Sequence, residues 1–468
     1  MLSAKLPFLR SLIGDRAFYK RLLLLVVPMI IQHTVTNVVN LLDNLMVGAI
    51  GKVPMAAVTI VNQLYFVFML CIFGGLAGTG IFSTQYAGAK DDDGLRRCFR
   101  LKLHIATAMV IIFSWLFTCF PEIMFSWFLQ GEAAVGEAQQ TLEYCHEYMN
   151  VMLMSMVPLA ICFTYANTLR ELGETRIPML GSIIAMIVNL AFNYVLIFGK
   201  LGFPALGITG AAIATVIARC AEMLTVVIYT HASSAKFTFI KGAYRTLKVP
   251  FRLFADVCRR GGMILVNELL WSSSIAALLY CYSMRGLDVI AAFNVAMIIA
   301  NLFNCIYLAM GSAVGVIIGQ ELGAQRIDEA KISARRLLAT TVASSLVMGI
   351  VLACAAPWLP SLFNIGKHVQ ELSTMLILIC VLVVPVRAYS HAIYFTLLAG
   401  GCTVQNMLMD SIFSWTIVIP VTWAIGRFTD MPIIPFYLLS NLMEILRCIV
   451  SYIMYASGRW SRNLISNQ

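Results

Sequence analysis

The sequence predicts an all-α integral membrane protein: twelve transmembrane helices in two parallel six-helix repeats, with both termini cytoplasmic. Three observations predict it. Hydrophobic residues make up 60% of the 468-residue chain and charged residues only 12%, against about 25% charged in a soluble domain. The apolar residues fall in continuous runs long enough to cross a bilayer as helices, about 20 residues each; a barrel would alternate every second residue. A charged loop is also written twice, half a chain apart.

The runs lie roughly at 22–47, 55–83, 101–120, 148–168, 178–199, 207–231, 262–283, 289–318, 337–356, 372–397, 404–426 and 433–456. The first is too long, and lacks the small-residue cleavage site, for a removable signal peptide, so it is read as part of the mature protein. Thirteen cysteines form no C-x-x-C pair and sit mostly singly in apolar runs. They read as small buried apolar residues, not metal ligands or disulfides.

The net charge of +10 does not point to nucleic acid, because the charges alternate by side. Lys5, Arg10, Arg16, Lys20 and Arg21 precede run one, and Lys90, Arg96, Arg97, Arg100 and Lys102 separate runs two and three. Lys236, Lys241, Arg245, Lys248, Arg252, Arg259 and Arg260 separate six and seven, and Arg326, Lys331, Arg335 and Arg336 separate eight and nine. The opposite loops hold Lys52, Lys200, Arg285, Lys367 and Arg427 singly, and the acidic stretch Glu132, Glu137, Glu143 and Glu147. Basic loops stay in the cytoplasm. Both termini are therefore expected inside.

At a shift of 235 residues, Gln85, Gly88, Ala89, Asp93 and Arg100 meet Gln320, Gly323, Ala324, Asp328 and Arg335. At a shift of 228, Leu169, Gly173 and Thr175 meet Leu397, Gly401 and Thr403, and Arg219-Cys220 meets Arg447-Cys448. An even number of spans per half makes the repeats parallel, an arrangement that suits a transporter with its cavity between the halves. The expected organisation is an N-terminal lobe over 1–231, a basic cytoplasmic linker over 232–257 with room for a short surface helix, and a C-terminal lobe over 258–468. The Q-x-x-G-A loop itself reads as a helix end followed by a turn.

No nucleotide-binding or zinc-protease motif occurs. GAIGK (Gly48–Lys52) is too short for a phosphate loop, the glycines of GGLAGTG (Gly74–Gly80) suit close helix packing, and His146-Glu147 lacks a second histidine. Six scattered histidines form no metal cluster. The chain is expected to be no enzyme and to hold no cofactor or structural metal. It draws its energy from an ion gradient or a partner chain.

Six stretches in order carry a resemblance: Pro28 followed by Asp43 and ending DNLMVGAIG, the paired Q-x-x-G-A loops, LRELGETRIP, NLAFNYVLIFG (Asn189–Gly199), GITGAAIAT (Gly207–Thr215) and DSIFSWTIVIP (Asp410–Pro420). With them the chain resembles the multidrug and toxic compound extrusion (MATE) transporters of bacterial type. The resemblance implies multi-pass insertion in the plasma (inner) membrane. It also implies efflux of amphipathic, often cationic, small molecules in exchange for H⁺ or Na⁺. A monomer in lipid is expected. The alternative is a flippase of a lipid-linked saccharide in the same superfamily, which would call for a cavity rich in cationic residues.

Asp43 lies 22 residues past Arg21, about 33 Å along a helix, in the outer part of the membrane. It is either a wet helix end or a functional carboxylate; intramembrane acids favour function, and the resemblance implies that it takes the coupling ion, H⁺ or Na⁺. Pro28 removes a backbone hydrogen bond and gives its helix a place to bend. Asn189 and Asn193 share a helix face and, with Thr215 and the Ala211 carbonyl, are candidates to join Asp43 around one ion; asparagines also glue helices. Some members of the resembled family have Asp in the place of Asn193. Glu268, between apolar neighbours, is a candidate to exchange protons or to face a cation. His33 is its repeat counterpart, a second titrating group or a core histidine. Arg387 and His391 stand in span ten where some members carry an acid, which argues against a second acidic ion site in that half. Asp410 is a candidate partner for Arg387. Arg219/Glu222 and Glu444/Arg447 read as ion pairs within one helix each. The 25 methionines are read mostly as packing.

Overall fold

The computed structural model describes residues 12–129, 135–363 and 365–466. Among these, twelve helices are long and apolar enough to cross a membrane. Spans one to six are Arg16–Gly48, Lys52–Ala89, Asp92–Cys119, Val135–Glu171, Arg176–Phe198 and Gly207–Ala232. Spans seven to twelve are Phe251–Ser283, Leu287–Gly323, Ile327–Ala355, Lys367–Ala399, Thr403–Phe428 and Ile433–Ala456. Each expected run coincides with one span. Of the charges used to assign the sides, Lys5, Arg10 and Glu132 lie outside the described residues.

The spans outrun the apolar stretches, and capping explains one case. Asp91 precedes span three, and its Oδ1 accepts the amides of Asp93 at 3.1 Å and Gly94 at 3.0 Å. An N-cap of this kind supplies two of the donors that a helix start leaves open. The helix therefore begins at Asp92, well before its apolar run. This corrects the reading of Lys102 as a loop charge. Lys102 lies inside span three, wholly buried, where it forms an ion pair with Glu171 and donates to Thr168 Oγ1 at 3.1 Å. Ser83 also donates to Glu171. The pair is enclosed within one structural unit.

By packing, the chain forms two units. One comprises Ile31–Ser83 and Asp91–Cys258; the other comprises span one as far as Ile30, Thr84–Lys90 and the chain from Arg259. We refer to them as the N-terminal and C-terminal units. They depart from the repeat boundaries in two short pieces, the cytoplasmic-side ends of spans one and two. Leu22, Leu25, Val26 and Met29 pack in a core with Ala313, Ile317 and Leu338 of the C-terminal unit. A separate core, including Phe68, Phe125 and Met156, fills the N-terminal unit.

The linker belongs to the N-terminal unit. In place of a surface helix it forms turns around one 3₁₀ turn, Thr238–Ile240. A turn leaves carbonyls open, and span three closes them. Arg96 donates to Phe239 O at 3.2 Å, Arg100 to Ala243 O at 2.7 Å and to Gly242 O at 2.9 Å. His104 Nε2 lies 2.8 Å from Leu247 O.

The doubled loop has a structural reason that the turn reading did not contain. The ends of spans two and eight cross within the C-terminal unit. A methyl group on Gly88 would stand 1.9 Å from the Gln320 carbonyl oxygen, and one on Gly323 would stand 1.9 Å from the Gln85 carbonyl oxygen. Each repeat thus supplies the glycine that lets the other's backbone approach, as small residues do where helices meet closely. Both helices then end in a left-handed residue, Lys90 at φ 56° and Gln325 at φ 61°, the conformation that turns a chain off a helix.

The C-terminal segment closes over this crossing. Asn463 Nδ2 donates to Leu322 O at 3.0 Å and Gly323 O at 3.1 Å. Gln85 accepts the Leu464 amide at 2.8 Å and donates to Ala399 O at 3.0 Å. Arg21 reaches the same corner, 3.0 Å from Gln320 Oε1 and 3.3 Å from Glu321 Oε1.

Gly88→Ala and Gly323→Ala should each destabilise the protein by at least about 1–3 kcal/mol, the usual cost of overpacking, because the obstacle is backbone. Gly262→Ala, with nothing within 4 Å of the added methyl, should be neutral. Thermal unfolding in detergent checks this; equal melting temperatures for all three variants would refute the crossing.

Candidate functional site

Each unit carries a polar network inside its spans, and the two networks are built on one plan. In the N-terminal unit Gln32 of span one donates to Ser182 Oγ of span five at 2.9 Å. Ser182 donates to Glu222 Oε1 of span six at 2.7 Å, and Arg219 meets Glu222 Oε2 at 2.9 Å. In the C-terminal unit Asn267 of span seven donates to Asp410 Oδ2 of span eleven at 3.1 Å, and Arg447 of span twelve meets Asp410 Oδ1 at 3.5 Å. Gln32 and Asn267 are counterparts at the shift of 235; Ser182 and Asp410, and Arg219 and Arg447, are counterparts at 228. The motif is an amide on the first helix of a half, an acceptor on the fifth and an arginine on the sixth. The carboxylates facing the arginine differ: Glu222 of the sixth helix in one half, and Asp410 of the fifth with Glu444 of the sixth in the other.

The additions to this plan differ between the halves. Asp43 accepts from Asn193 Nδ2 at 2.6 Å, and the same nitrogen donates to Asn189 Oδ1 at 3.0 Å. The expected trio Asp43, Asn189 and Asn193 is therefore brought together. Asn193 Oδ1 is buried and has no hydrogen-bond partner. An orphaned buried oxygen beside a carboxylate is an acceptor-rich pocket, suited to a proton or a hard cation. Arg219 lies within electrostatic reach of Asp43, as does buried Tyr148 of span four. Thr215 does not join by its hydroxyl, which donates to Ala211 O within its own helix at 3.0 Å. At the shifts of 235 and 228, Asp43, Asn189 and Asn193 fall on Leu278, Ile417 and Val421, so this cluster exists once.

Further along, Gln32 accepts from Arg170 Nη2 at 2.8 Å. His33 is half-buried within electrostatic reach of the same arginine. Sequence reasoning missed Gln32 and Arg170; the pairing of Gln32 with Asn267 in the repeat was the signal that could have found them.

In the C-terminal unit Glu268 accepts from the Tyr394 hydroxyl, and Asn267 Nδ2 lies 3.4 Å from that hydroxyl. Asp410 does not pair with Arg387. Its partner is Arg447, while Arg387 Nε lies 3.6 Å from Glu444 Oε1 and Arg387 Nη2 donates to Asn441 Oδ1 at 2.7 Å. Glu444 also meets Arg447 at 3.5 Å, within one helix as expected. Span ten carries no acid of its own, but Asp410 of span eleven lies within electrostatic reach of Glu268. Local backbone places it there. Asp410 sits in a π-helical turn, Leu408–Ile412, followed by another, Ser414–Val418, and such turns re-aim side chains within a helix. His391 packs among Tyr307 and Phe395, with ring centroids 5.1 Å away from each, and stacks on Tyr394 at 6.4 Å. Its Nε2 is buried without a hydrogen-bond partner.

Twelve spans in two repeats, with charged networks enclosed at membrane depth, define a membrane transport protein. The chain belongs to the MatE family, whose model matches residues 28–195 and 263–424, one stretch in each repeat. It is 25% identical over 418 residues to "Probable multidrug resistance protein YoeA" of Bacillus subtilis, covering 89% of both chains. It is 26% identical over 418 residues to "Probable multidrug resistance protein NorM" of Halalkalibacterium halodurans, covering 88% of both. The fold is similar to that of the Vibrio cholerae MATE transporter VcmN in the bent form, with a TM-score of 0.85, 18% identity, and coverage of 96% of this chain and 98% of that one.

Arg447 is the keystone of its network. Arg447→Met should cost about 3–5 kcal/mol, since it leaves Asp410 buried without a counter-charge. Arg447→Met combined with Asp410→Leu should recover most of the loss. Unfolding midpoints in detergent decide; a double variant no more stable than the single one would show that the pair does not act as a unit.

Proposed function

We propose that the protein exports amphipathic organic compounds, cations among them, across the plasma membrane in exchange for H⁺ or Na⁺, working as a monomer. The export of many drugs comes from the relatives named multidrug resistance proteins. The observation that carries the exchange is the cluster of Asp43, Asn189 and Asn193, a carboxylate with amide oxygens that the second repeat does not copy.

In this reading the ion binds at Asp43 and favours one conformation, from which the compound is released outside. Loss of the ion favours the other, which reloads from inside. An ion drives such a cycle only through a difference in affinity between the two states. Pro28 is the hinge. It cannot donate to the carbonyl of Leu24, and it stands next to the point, Ile30 to Ile31, where span one passes from one packing unit to the other. A helix that changes partners bends most cheaply where a backbone bond is already missing.

The test uses proteoliposomes loaded with ethidium under a pH gradient or a Na⁺ gradient, with the wild type, Asp43→Asn and Glu268→Gln. Transport should follow one gradient and fall at least about 100-fold in Asp43→Asn, as expected when the coupling charge is lost. Undiminished coupled transport in Asp43→Asn would refute the role of Asp43. Loss confined to Glu268→Gln would move coupling to the C-terminal unit. No transport under either gradient by folded protein would turn the reading to a flippase. Pro28→Ala should keep substrate binding and slow turnover.

A further inference from the structure

In the N-terminal unit spans three and four part to leave an apolar groove of about 290 Å³. Leu103, Thr107 and Ile111 line one wall, and Val157 and Ile161 the other. These residues recur every fourth position, so each wall is one helix face. The groove lies beside Pro158, where span four lacks a backbone hydrogen bond. Ile111 is 62% exposed and Val157 50%, so the groove opens sideways, where lipid chains lie. Leu103 stands near the cytoplasmic start of its apolar run, and Ile111 lies eight residues deeper, about 12 Å along the helix. The groove therefore occupies the depth of an acyl chain just below its headgroup.

Both walls, followed toward the cytoplasm, meet the linker. From Leu103 the face continues to Arg100 and Arg96, which hold the carbonyls of Ala243, Gly242 and Phe239. From Ile161 it continues to Tyr165, whose hydroxyl is hydrogen-bonded to that of Tyr244 and lies 3.0 Å from His231 Nε2. The Tyr244 ring stacks on His231 at 6.1 Å, and His104 Nε2 lies 2.8 Å from Leu247 O. The linker is thus fixed to both walls across the cytoplasmic end of the groove.

What the linker presents there is positive. From Lys236 to Ala255 the chain has five basic residues and no acid. Lys236 pairs with Glu174; Lys241, Arg245, Lys248 and Arg252 are exposed and, among the described residues, pair with no acid. Tyr244, Leu247 and Phe251 stand exposed between them, a mixture suited to the headgroup layer. An apolar groove that opens into lipid and ends at fixed cations matches a ligand with an alkyl chain joined to an anion. A neutral lipid satisfies only the groove, and a free anion only the cations. We propose that the N-terminal unit binds an anionic phospholipid here. An acyl chain lies in the groove between spans three and four, and the phosphate sits on Arg245 and Lys248, on either side of the residue that His104 holds. Basic pockets between membrane helices on the cytoplasmic side bind such headgroups.

Native mass spectrometry of the delipidated full-length protein in detergent tests this, with each variant checked for monodispersity. The titrants are phosphatidylglycerol and phosphatidylcholine with the same chains, and glycerol phosphate as an anion without chains. The wild type should bind one phosphatidylglycerol at least about 10-fold more tightly than phosphatidylcholine, the worth of two cations at a membrane surface. Arg245→Gln combined with Lys248→Gln should abolish that preference. Val157→Trp, which fills the groove from an exposed position, should weaken both lipids at least about 5-fold. Arg326→Gln combined with Lys331→Gln, which removes as many charges from the C-terminal unit, should change neither. Equal wild-type affinity for the two lipids, equal loss in the two double variants, full binding by Val157→Trp, or displacement of phosphatidylglycerol by equimolar glycerol phosphate would each overturn the proposal.

Discussion

Inside a bilayer a polar group that faces lipid has no water to bond, so most of those that the sequence places there find partners within the protein. That constraint explains why Gln32, Ser182, Glu222 and Arg219 form a closed chain, and why Asn267, Asp410 and Arg447 form another. Each chain ties the first helix of a half to its fifth and sixth. The helices themselves have little reason to prefer one another, because lipid is as apolar as their side chains. Hydrogen bonds at depth therefore select which helices meet. Lys102 with Glu171 does the same for spans three and four. Removing one member of such a pair leaves the other charged and buried, so these contacts specify the fold more than they stabilise it.

The fold was legible in the sequence because its signals are long and redundant. A run of apolar residues marks a span whether or not its ends are known, and the doubled Q-x-x-G-A loop marks the repeat. The ends were misjudged where polar residues continue a helix past its apolar part. Span three starts at a capping aspartate, which turned Lys102 from an apparent loop charge into a buried one. At the site, the contact of Asp43 with Asn193 and Asn189 was readable, since asparagines four apart share a face and each polar group at depth needs a partner. The partner of Asp410 was not. Arg387 and Arg447 are equally basic in sequence, and the choice between them depends on the π-helical turns around Asp410, which no periodicity announces. The signal that would have helped was the repeat: Asp410 stands at the place of Ser182, and the arginine beside that place is Arg219, the counterpart of Arg447.

The repeat also separates scaffold from function. What both halves share holds each half together: the crossing glycines, the left-handed helix ends and the networks of amide, acceptor and arginine. What one half has alone needs another explanation. In the first half that remainder includes Asp43 with Asn189 and Asn193, and the buried pair of Lys102 and Glu171; in the second it includes Glu268, Tyr394, Glu444 and Arg387. The Asp43 cluster is oxygen-rich and compact, suited to a small cation. The second remainder is extended and bears both signs, suited to a larger solute.

Three helices pass between the packing units: span one at Ile30 and Ile31, span two at Ser83 and Thr84, and span seven at Cys258 and Arg259. On one side of the first boundary Arg21 meets Glu321 and Gln320; on the other Gln32 meets Arg170 and Ser182. On one side of the second boundary Ser83 meets Glu171; on the other Gln85 meets Ala399 and Leu464. Spans one and two are thus each gripped by hydrogen bonds on both sides of the boundary. Pro28 weakens span one there by removing a backbone bond. Span two has no proline at its boundary, and it is tied by backbone contact at Gly88. The two helices therefore offer unequal resistance.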